Sequence, residues 1–360
     1  MSKLLKLESL RGFAALYVVL HHTVTSKLLV AGVDLSLLFR FGQEAVILFF
    51  ILSGFVIELS FQKGKDKSFT LYFLKRFLRI FIPLLMVFLA NYLLIYIKKG
   101  ATPIDWYNLL GNLLMLQDVK DLKLNVICSP FLGNIPLWSL SYEWWFYMVF
   151  FLLISTIKKN ISLWVYAIGI VCALSYIIYP FFVNRLLMYL TIWWLGVDLA
   201  KVYMSGNPIN FKSMKMGLTA VSICTMILAL SFYINREAWS KELNIPVTFG
   251  VSPMLELRHF AFAVLSLSIA LIWKQLNWVG FKYTFGPFEV LAKISFGIYI
   301  SHWFLVSQAH YLDFIPNLWL RFFLYTLICI LFAYLIERVI YVKINRAFMN
   351  KFYYKAVQKG

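Results

Sequence analysis

Long apolar runs separated by short polar segments occupy nearly the whole chain. Runs of the about 20 residues needed to cross a bilayer fall at 12–30, 42–61, 78–97, 139–157, 162–182, 186–204, 216–234, 257–274, 289–309 and 318–341. The pattern predicts an all-α polytopic membrane protein with about ten transmembrane helices. Ten is even, so both termini share a side. Of the 34 Lys and Arg residues, 23 lie on the termini's side of the predicted spans and 11 on the other. Positive charge is retained on the cytoplasmic face during insertion, which predicts cytoplasmic N- and C-termini.

Composition agrees. The chain is 62% hydrophobic and 19% aromatic, against about 45–50% apolar in soluble domains. The formal charge of +18 is spread over loops and tail beside the apolar runs, where anionic headgroups account for it; no nucleic-acid partner is implied. Lys3, Lys6 and Arg11 precede the first run, which is long and lacks a small-residue cleavage site, so an uncleaved signal anchor is predicted. Cys172, Cys224 and Cys329 fall within spans and only Cys128 in an outer segment, so no disulfide or metal spacing is visible. Without repeats or a soluble-sized segment, residues 1–360 read as one transmembrane domain. The longest outer segments are 98–138 and 235–256, and DWYNLLGNLLMLQ in the first suits an interfacial helix.

Ionisable groups inside apolar runs are costly, usually face protein or water, and therefore mark candidate chemistry. RGFAALYVVLHHTV (11–24) holds Arg11, His21 and His22. Eleven residues separate Arg11 from His22, close to three turns and about 16 Å of rise, so the two share a helix face, while His21 is turned about 100° away. In FFILSGFVIE (49–58), Ser53 and Gly54 are small residues suited to close helix packing. LKRFLRIFIP (74–83) sets Arg76 and Arg79 on one face, a spacing that fits phosphates. PLWSLSYEWWFY (136–147) buries Glu143 among Trp138, Trp144, Trp145, Phe146 and Tyr147, and SFGIYISHWFL (295–305) carries His302. With alternating span directions, His22, Glu143 and His302 reach the middle-to-outer half, and Arg11, Arg76 and Arg79 stay at the inner face. The pattern predicts a basic cytosolic mouth and a His/Glu site roughly 15 Å deeper, suited to a long donor with phosphates at one end and a reactive group at the other.

Taken together these segments resemble the acyltransferase-3 family of integral membrane acyltransferases. The family's opening Arg/Lys-then-His motif falls on Arg11 and His22, and its FFxxSG motif on Phe49, Phe50, Ser53 and Gly54. Its RxxRIxxP-like motif falls on Arg76, Arg79, Ile80 and Pro83, and its WSLxxExxFY motif on Trp138, Ser139, Leu140, Glu143, Phe146 and Tyr147. A late SYxxYLxH-like motif falls on Ser295, Tyr299 and His302, with Phe296 and Ile300 departing from its usual Tyr and Leu.

The resemblance implies transfer of an acyl group, most often acetyl, from cytosolic acyl-CoA to a hydroxyl of a lipid-linked or envelope carbohydrate such as O-antigen, capsule or exopolysaccharide. It further implies a multi-pass protein of the bacterial inner membrane. Acetyl-CoA is then a donor substrate, with no permanently bound cofactor, and the partners are acyl-CoA, the glycan and the bilayer. Arg11, Arg76 and Arg79 would hold the CoA phosphates. His22 is the general base on the acceptor hydroxyl or a covalent acyl carrier. Glu143 would orient or charge-stabilise an imidazole, and His302 or Ser139 would bind acceptor or thioester oxygen. Ser53, Trp138, Tyr147 and Tyr299 complete the candidate site. The histidines and carboxylates show no metal-ligand spacing. Trp106, Tyr107 and Trp239 are candidates for stacking on sugar. A transporter using the same buried groups is the alternative reading.

Overall fold

The computed structural model describes residues 3–23, 29–30 and 33–351. In chain order its elements are α1 (Lys3–Thr23), a hairpin of β1 (Leu29–Val30) and β2 (Val33–Asp34), α2 (Gly42–Lys63), α3 (Phe69–Lys99), α4 (Trp106–Leu113), α5 (Trp138–Thr156), α6 (Ile161–Ile178), α7 (Phe182–Met204) and α8 (Phe211–Leu243). There follow α9 (Met254–Gln275), the short α10 (Phe281–Thr284) and α11 (Glu289–Ala292), α12 (Ser295–His302), α13 (Leu318–Tyr334) and α14 (Tyr341–Met349). A π-helical turn, Trp303–Ser307, extends α12, and another, Leu335–Ile340, joins α13 to α14.

Eight helical segments among the described residues are long and apolar enough to cross a membrane, and the bent pair Gly286–Ala292 with Ser295–Ser307 raises the number to nine. All nine match predicted spans. The first predicted span differs. Its helix starts at Lys3 and ends at Thr23, not at 12–30; Leu29 and Val30 pair with Asp34 and Val33, and 24–28 lie outside the described residues. Lys6, Glu8 and Arg11 keep α1 below the apolarity of a lipid-facing span. It packs against α2, α11 and α12, and a helix walled by protein has no need to be apolar all round. The span predicted at 289–309 is bent by 76°. The bend lets the stretch before it cross α1 closely: a Cβ on Gly12 would lie 1.9 Å from the Phe288 carbonyl oxygen.

The helix ends follow local chemistry. Asn210 and Ser213 form a reciprocal cap on α8, and the side chains of Ser68 and Asn317 cap α3 and α13. On α3, Leu85, Leu89 and Leu93 repeat every four residues and are exposed, forming an apolar stripe of the kind that faces lipid. The interior is aromatic: Phe50 of α2, Phe146 and Phe150 of α5, and Trp193 and Trp194 of α7 are at most 1% exposed.

The closest crossing joins α2 to α7. A Cβ on Gly54 would lie 2.1 Å from the Trp193 carbonyl oxygen, and one on Gly196 would lie 1.8 Å from that of Ile51. Small residues here let the backbones touch, so the predicted packing role of Gly54 has a direct geometric basis. Gly54→Val is expected to lower the thermal midpoint in detergent, at a cost of roughly 1–3 kcal/mol or more from overpacking. An unchanged midpoint would show that the crossing opens without strain.

Candidate active site

Between α1, α2, α3, α5 and α12 the bundle leaves a cavity of about 330 Å³. That lies at the lower end of ordinary ligand sites. Arg11, Ser53, Arg76, Arg79, Ser139, Glu143, Tyr147 and Tyr299 all line it, so eight of the eleven predicted site residues meet in one space although they come from five helices. Lys75 adds a further cation.

Two distinct polar arrangements form its wall. The Glu143 carboxylate accepts a hydrogen bond from Ser53 Oγ at 2.7 Å and another, very short, from the Tyr147 hydroxyl, while Ser53 and Tyr147 are 3.1 Å apart. Glu143 and Tyr147 are one turn apart on α5, so they share a face. Its two hydroxyl partners explain how a carboxylate is tolerated in an apolar bundle. They also revise the orienting role expected for Glu143: its hydrogen bonds go to Ser53 and Tyr147, not to an imidazole. The second arrangement links α5 to α12. The Tyr299 hydroxyl donates to the Pro136 carbonyl at 2.7 Å, leaving its oxygen to accept from Ser139 Oγ at 2.8 Å.

The arginines are held differently from one another. Arg11 lies within electrostatic reach of Glu143, Glu337 and Arg79. Arg76 rests 5.8 Å from the rings of both Tyr72 and Tyr147, with Ser60 Oγ at 3.5 Å and its Nε unpartnered. Arg79 forms an ion pair of 2.5 Å with Glu337 and lies 5.3 Å from the rings of Phe296 and Tyr341. Glu337 in turn accepts from the Gly297 amide, so α3, α12 and the π-helical turn after α13 are tied together at this ion pair. A guanidinium carries five N–H donors, and the pair leaves donors of Arg79 for another anion.

Beyond Tyr299 lie the histidines. His22 of α1 stacks on His302 of α12 with ring centroids 5.3 Å apart and meets the edge of Trp303 at 4.9 Å. Tyr299 links this pair to the cavity, its ring 5.9 Å from that of His302. A backbone carbonyl can only accept, so His302 Nδ1, 2.6 Å from the Tyr299 carbonyl, carries the proton, and Nε2 presents a lone pair. This Nε2 is buried with no partner. Of the two oxygens expected to meet His302, a lone pair on Nε2 suits the acceptor's hydroxyl, which can donate to it, and not the thioester carbonyl, which cannot. His21, as the helical arithmetic predicted, points elsewhere. Its Nδ1 donates to the Phe39 carbonyl at 2.6 Å, and it packs beneath Gly42.

Trp138 does not line the cavity but sits behind its wall. Its ring stacks on His259, near-parallel with centroids 5.9 Å apart, and the Lys123 ammonium is 4.2 Å from its centroid. On the segments predicted to be outer, Trp106 and Tyr107 are exposed, whereas Trp239 is only 6% exposed and packs against Tyr176. Trp239 is therefore not a sugar platform: α8 continues to Leu243 and carries it into the interior.

Sequence reasoning missed a buried ionic cluster. Asp118 accepts from Lys123 Nζ at 2.8 Å and from the Tyr142 hydroxyl at 2.6 Å, with Arg185 Nε 3.8 Å away. Arg185 also donates to the Leu124 and Asn125 carbonyls. Burial raises the pKa of a carboxyl, but the Lys123 ammonium and Arg185 guanidinium override it and hold Asp118 below the usual carboxylate range. Nearby, His259 meets the Tyr189 hydroxyl at 2.6 Å, and Glu256 accepts from Ser252. In the sequence Lys123 and Arg185 count only toward the charge balance across the predicted spans. Only the fold brings Asp118 to them. Glu337, Glu256 and His259, in contrast, lie in or beside apolar runs, and the rule that exposed Glu143 also flags them. Among the described residues no group of three or more His, Cys, Asp or Glu residues is placed to hold a metal.

Comparisons with known proteins bear on the chain as a whole. Residues 4–338 match the model described as the acyltransferase domain of the acyltransferase-3 family. The chain is also similar to Acyltransferase MdmB of Streptomyces mycarofaciens, with 27% identity over 329 residues, 86% of this chain and 80% of that protein. No solved structure matches it. The family match spans α1 to the last turns of the bundle and includes every cavity-lining arginine, carboxylate and hydroxyl named above: this chain is a member of the acyltransferase-3 family.

Proposed function

We propose that this membrane acyltransferase takes an acyl group, acetyl in the simplest case, from cytosolic acyl-CoA and transfers it to a hydroxyl of an envelope carbohydrate. The observation that carries this reading is the single cavity with Arg11, Arg76 and Arg79 in its lining, next to the His22–His302 stack. The termini and the arginine end of α1 face the cytosol in this reading, in keeping with the Lys and Arg bias, and the protein resides in the bacterial inner membrane.

The donor's phosphates are held by Arg11 and Arg76, with Arg79 contributing the donors that Glu337 leaves open. Its pantetheine arm runs along α1 toward His22. His22 removes the proton of the acceptor hydroxyl as the oxygen attacks the thioester carbonyl. Ser139, whose hydrogen can turn from Tyr299 to the carbonyl oxygen, stabilises the charge that develops there. The C–S bond then breaks, the ester forms, and the thiolate takes up the proton, leaving CoA-SH. His302, neutral and with its lone pair inward, keeps the space beside His22 free of a second positive charge. Glu143 fixes Ser53 and Tyr147 and offsets part of the charge of the three arginines. The exposed Trp106 and Tyr107 on α4 supply stacking surface for a carbohydrate on the far side.

The experiment follows from the division of labour. In proteoliposomes supplied with labelled acetyl-CoA, Arg76→Gln is expected to raise the donor KM about tenfold or more, the loss of one charge-assisted phosphate contact, with kcat changed much less. Dephospho-CoA thioesters should narrow that difference. Equal KM values for wild type and Arg76→Gln would remove the phosphate assignment.

A further inference from the structure

A second cavity, of about 120 Å³, lies beside the first and takes no part in the chemistry above. Its walls come from α1 (Leu7, Leu10), α2 (Ile51, Leu52, Phe55) and α9 (Leu267, Leu271), and five of these residues, Ile51, Leu52, Phe55, Leu267 and Leu271, are at most 5% exposed. Its floor is therefore buried, while the remaining lining residues, Leu7 and Leu10 among them, are half-buried, so the slot opens toward the outer surface of the bundle. Two cations stand among its lining residues: Lys6, in the first two turns of α1, and Lys274, in the last turn of α9. Lys6 Nζ lies 5.0 Å from the Trp278 ring, and Lys274 Nζ donates to the Ile209 carbonyl at 2.6 Å. An ammonium has three donors, so Lys274 keeps others for an anion.

An apolar slot with two ammonium groups and an indole at its polar end has the chemistry of one amphiphile: hydrocarbon within, phosphate at the lysines, headgroup level at the tryptophan. We propose that the slot holds part of an anionic glycerophospholipid, the first few methylenes of one acyl chain between α1, α2 and α9, with the phosphate between Lys6 and Lys274 and the rest of the chain running out along the helices. Occupancy bears on the donor cavity, because the two spaces share walls one residue thick. Leu10 faces the slot and Arg11 the donor cavity, and Leu52 and Ser53 are divided in the same way. A seated chain thus fixes how deeply α1 and α2 pack, and with them the positions of Arg11 and Ser53.

The test uses the purified full chain in detergent and reads thermal midpoint and lipid retention in native mass spectrometry, with no acyl transfer measured, so it stands or falls separately from the proposed reaction. Dioleoylphosphatidylglycerol is expected to raise the midpoint by several degrees over the same mole fraction of dioleoylphosphatidylcholine and to remain bound as one molecule per chain. The double variant Lys6→Gln/Lys274→Gln should lose more than half of that shift, and Ala270→Phe, which fills the slot from α9, should abolish it. Glycerol 3-phosphate, with the phosphate but no chain, should have no effect. Equal shifts with the two lipids, a full shift in the lysine double variant, or reproduction of the shift by glycerol 3-phosphate would each overturn the proposal. If Ala270→Phe does not fold, the lysine variant and the two lipids still decide.

Discussion

His22→Ala is expected to lower acyl transfer in sealed proteoliposomes by about 10²–10⁴-fold, the usual contribution of a positioned general base, with the thermal midpoint little changed. His22 is half-buried, and among the described residues no hydrogen bond holds its ring; its neighbours there are His302, Trp303 and His21 through ring faces and edges. Its removal therefore takes away a proton acceptor without leaving a buried polar partner stranded. His21→Ala provides the contrast. It releases the Phe39 carbonyl and should cost stability while sparing most of the transfer. Loss of activity in His21→Ala with retention in His22→Ala would reverse the assignment. His302→Gln adds a discriminating arm: the amide fills the space but places a donor as well as an acceptor near the position where Nε2 offers a lone pair alone.

The second large effect concerns stability. Asp118→Asn should cost about 3–5 kcal/mol, the expense of breaking a buried pair while its partners stay charged, because Lys123 and Arg185 would remain buried at 1% side-chain exposure without their carboxylate. The thermal midpoint should fall on the order of 10 °C, and activity at low temperature should be affected far less. The same pair sets a pH dependence whose sign is fixed. Asp118 titrates below the usual carboxylate range when folded, so its contribution is present above the unfolded value of about 4 and is lost as pH falls through the folded one. Wild-type stability should hold from neutral pH down to about 4 and decline below it, while Asp118→Asn lacks that limb. Adding Lys123→Met to Asp118→Asn should recover part of the loss, since it removes one stranded charge.

Much of this architecture is legible in the residues because a bilayer makes hydropathy decisive: every backbone polar group in it must be satisfied within a helix. Nine of the predicted spans meet their helices on that ground. The tenth was displaced by its own polar residues. Lys6 and Arg11 read as flanking charge, yet they belong to a helix packed against α2, α11 and α12, where polarity marks an interior and not an end. The 76° bend between Ala292 and Ser295 is not legible in the sequence for another reason: it accompanies the crossing over Gly12, a contact between residues far apart in sequence. The site divides in the same way. Arg11 and Glu143 stand out locally as charged groups in or beside apolar runs, Ser53 and Tyr299 enter the site through the family resemblance, and the four do converge. Which group each one touches depends on α12 and α13, and so the Arg79–Glu337 pair and the Tyr299-fixed tautomer of His302 required the fold.

The most direct test of the central claim is mass spectrometry of the surface carbohydrates made by the organism carrying this gene, compared among wild type, a deletion strain, and the deletion strain complemented with wild-type or His22→Ala protein at equal membrane levels. The account predicts that one acyl mass per carbohydrate repeat disappears in the deletion, returns with the wild-type gene and stays absent with His22→Ala. Unchanged O-acylation in the deletion strain, or full restoration by His22→Ala, would contradict it.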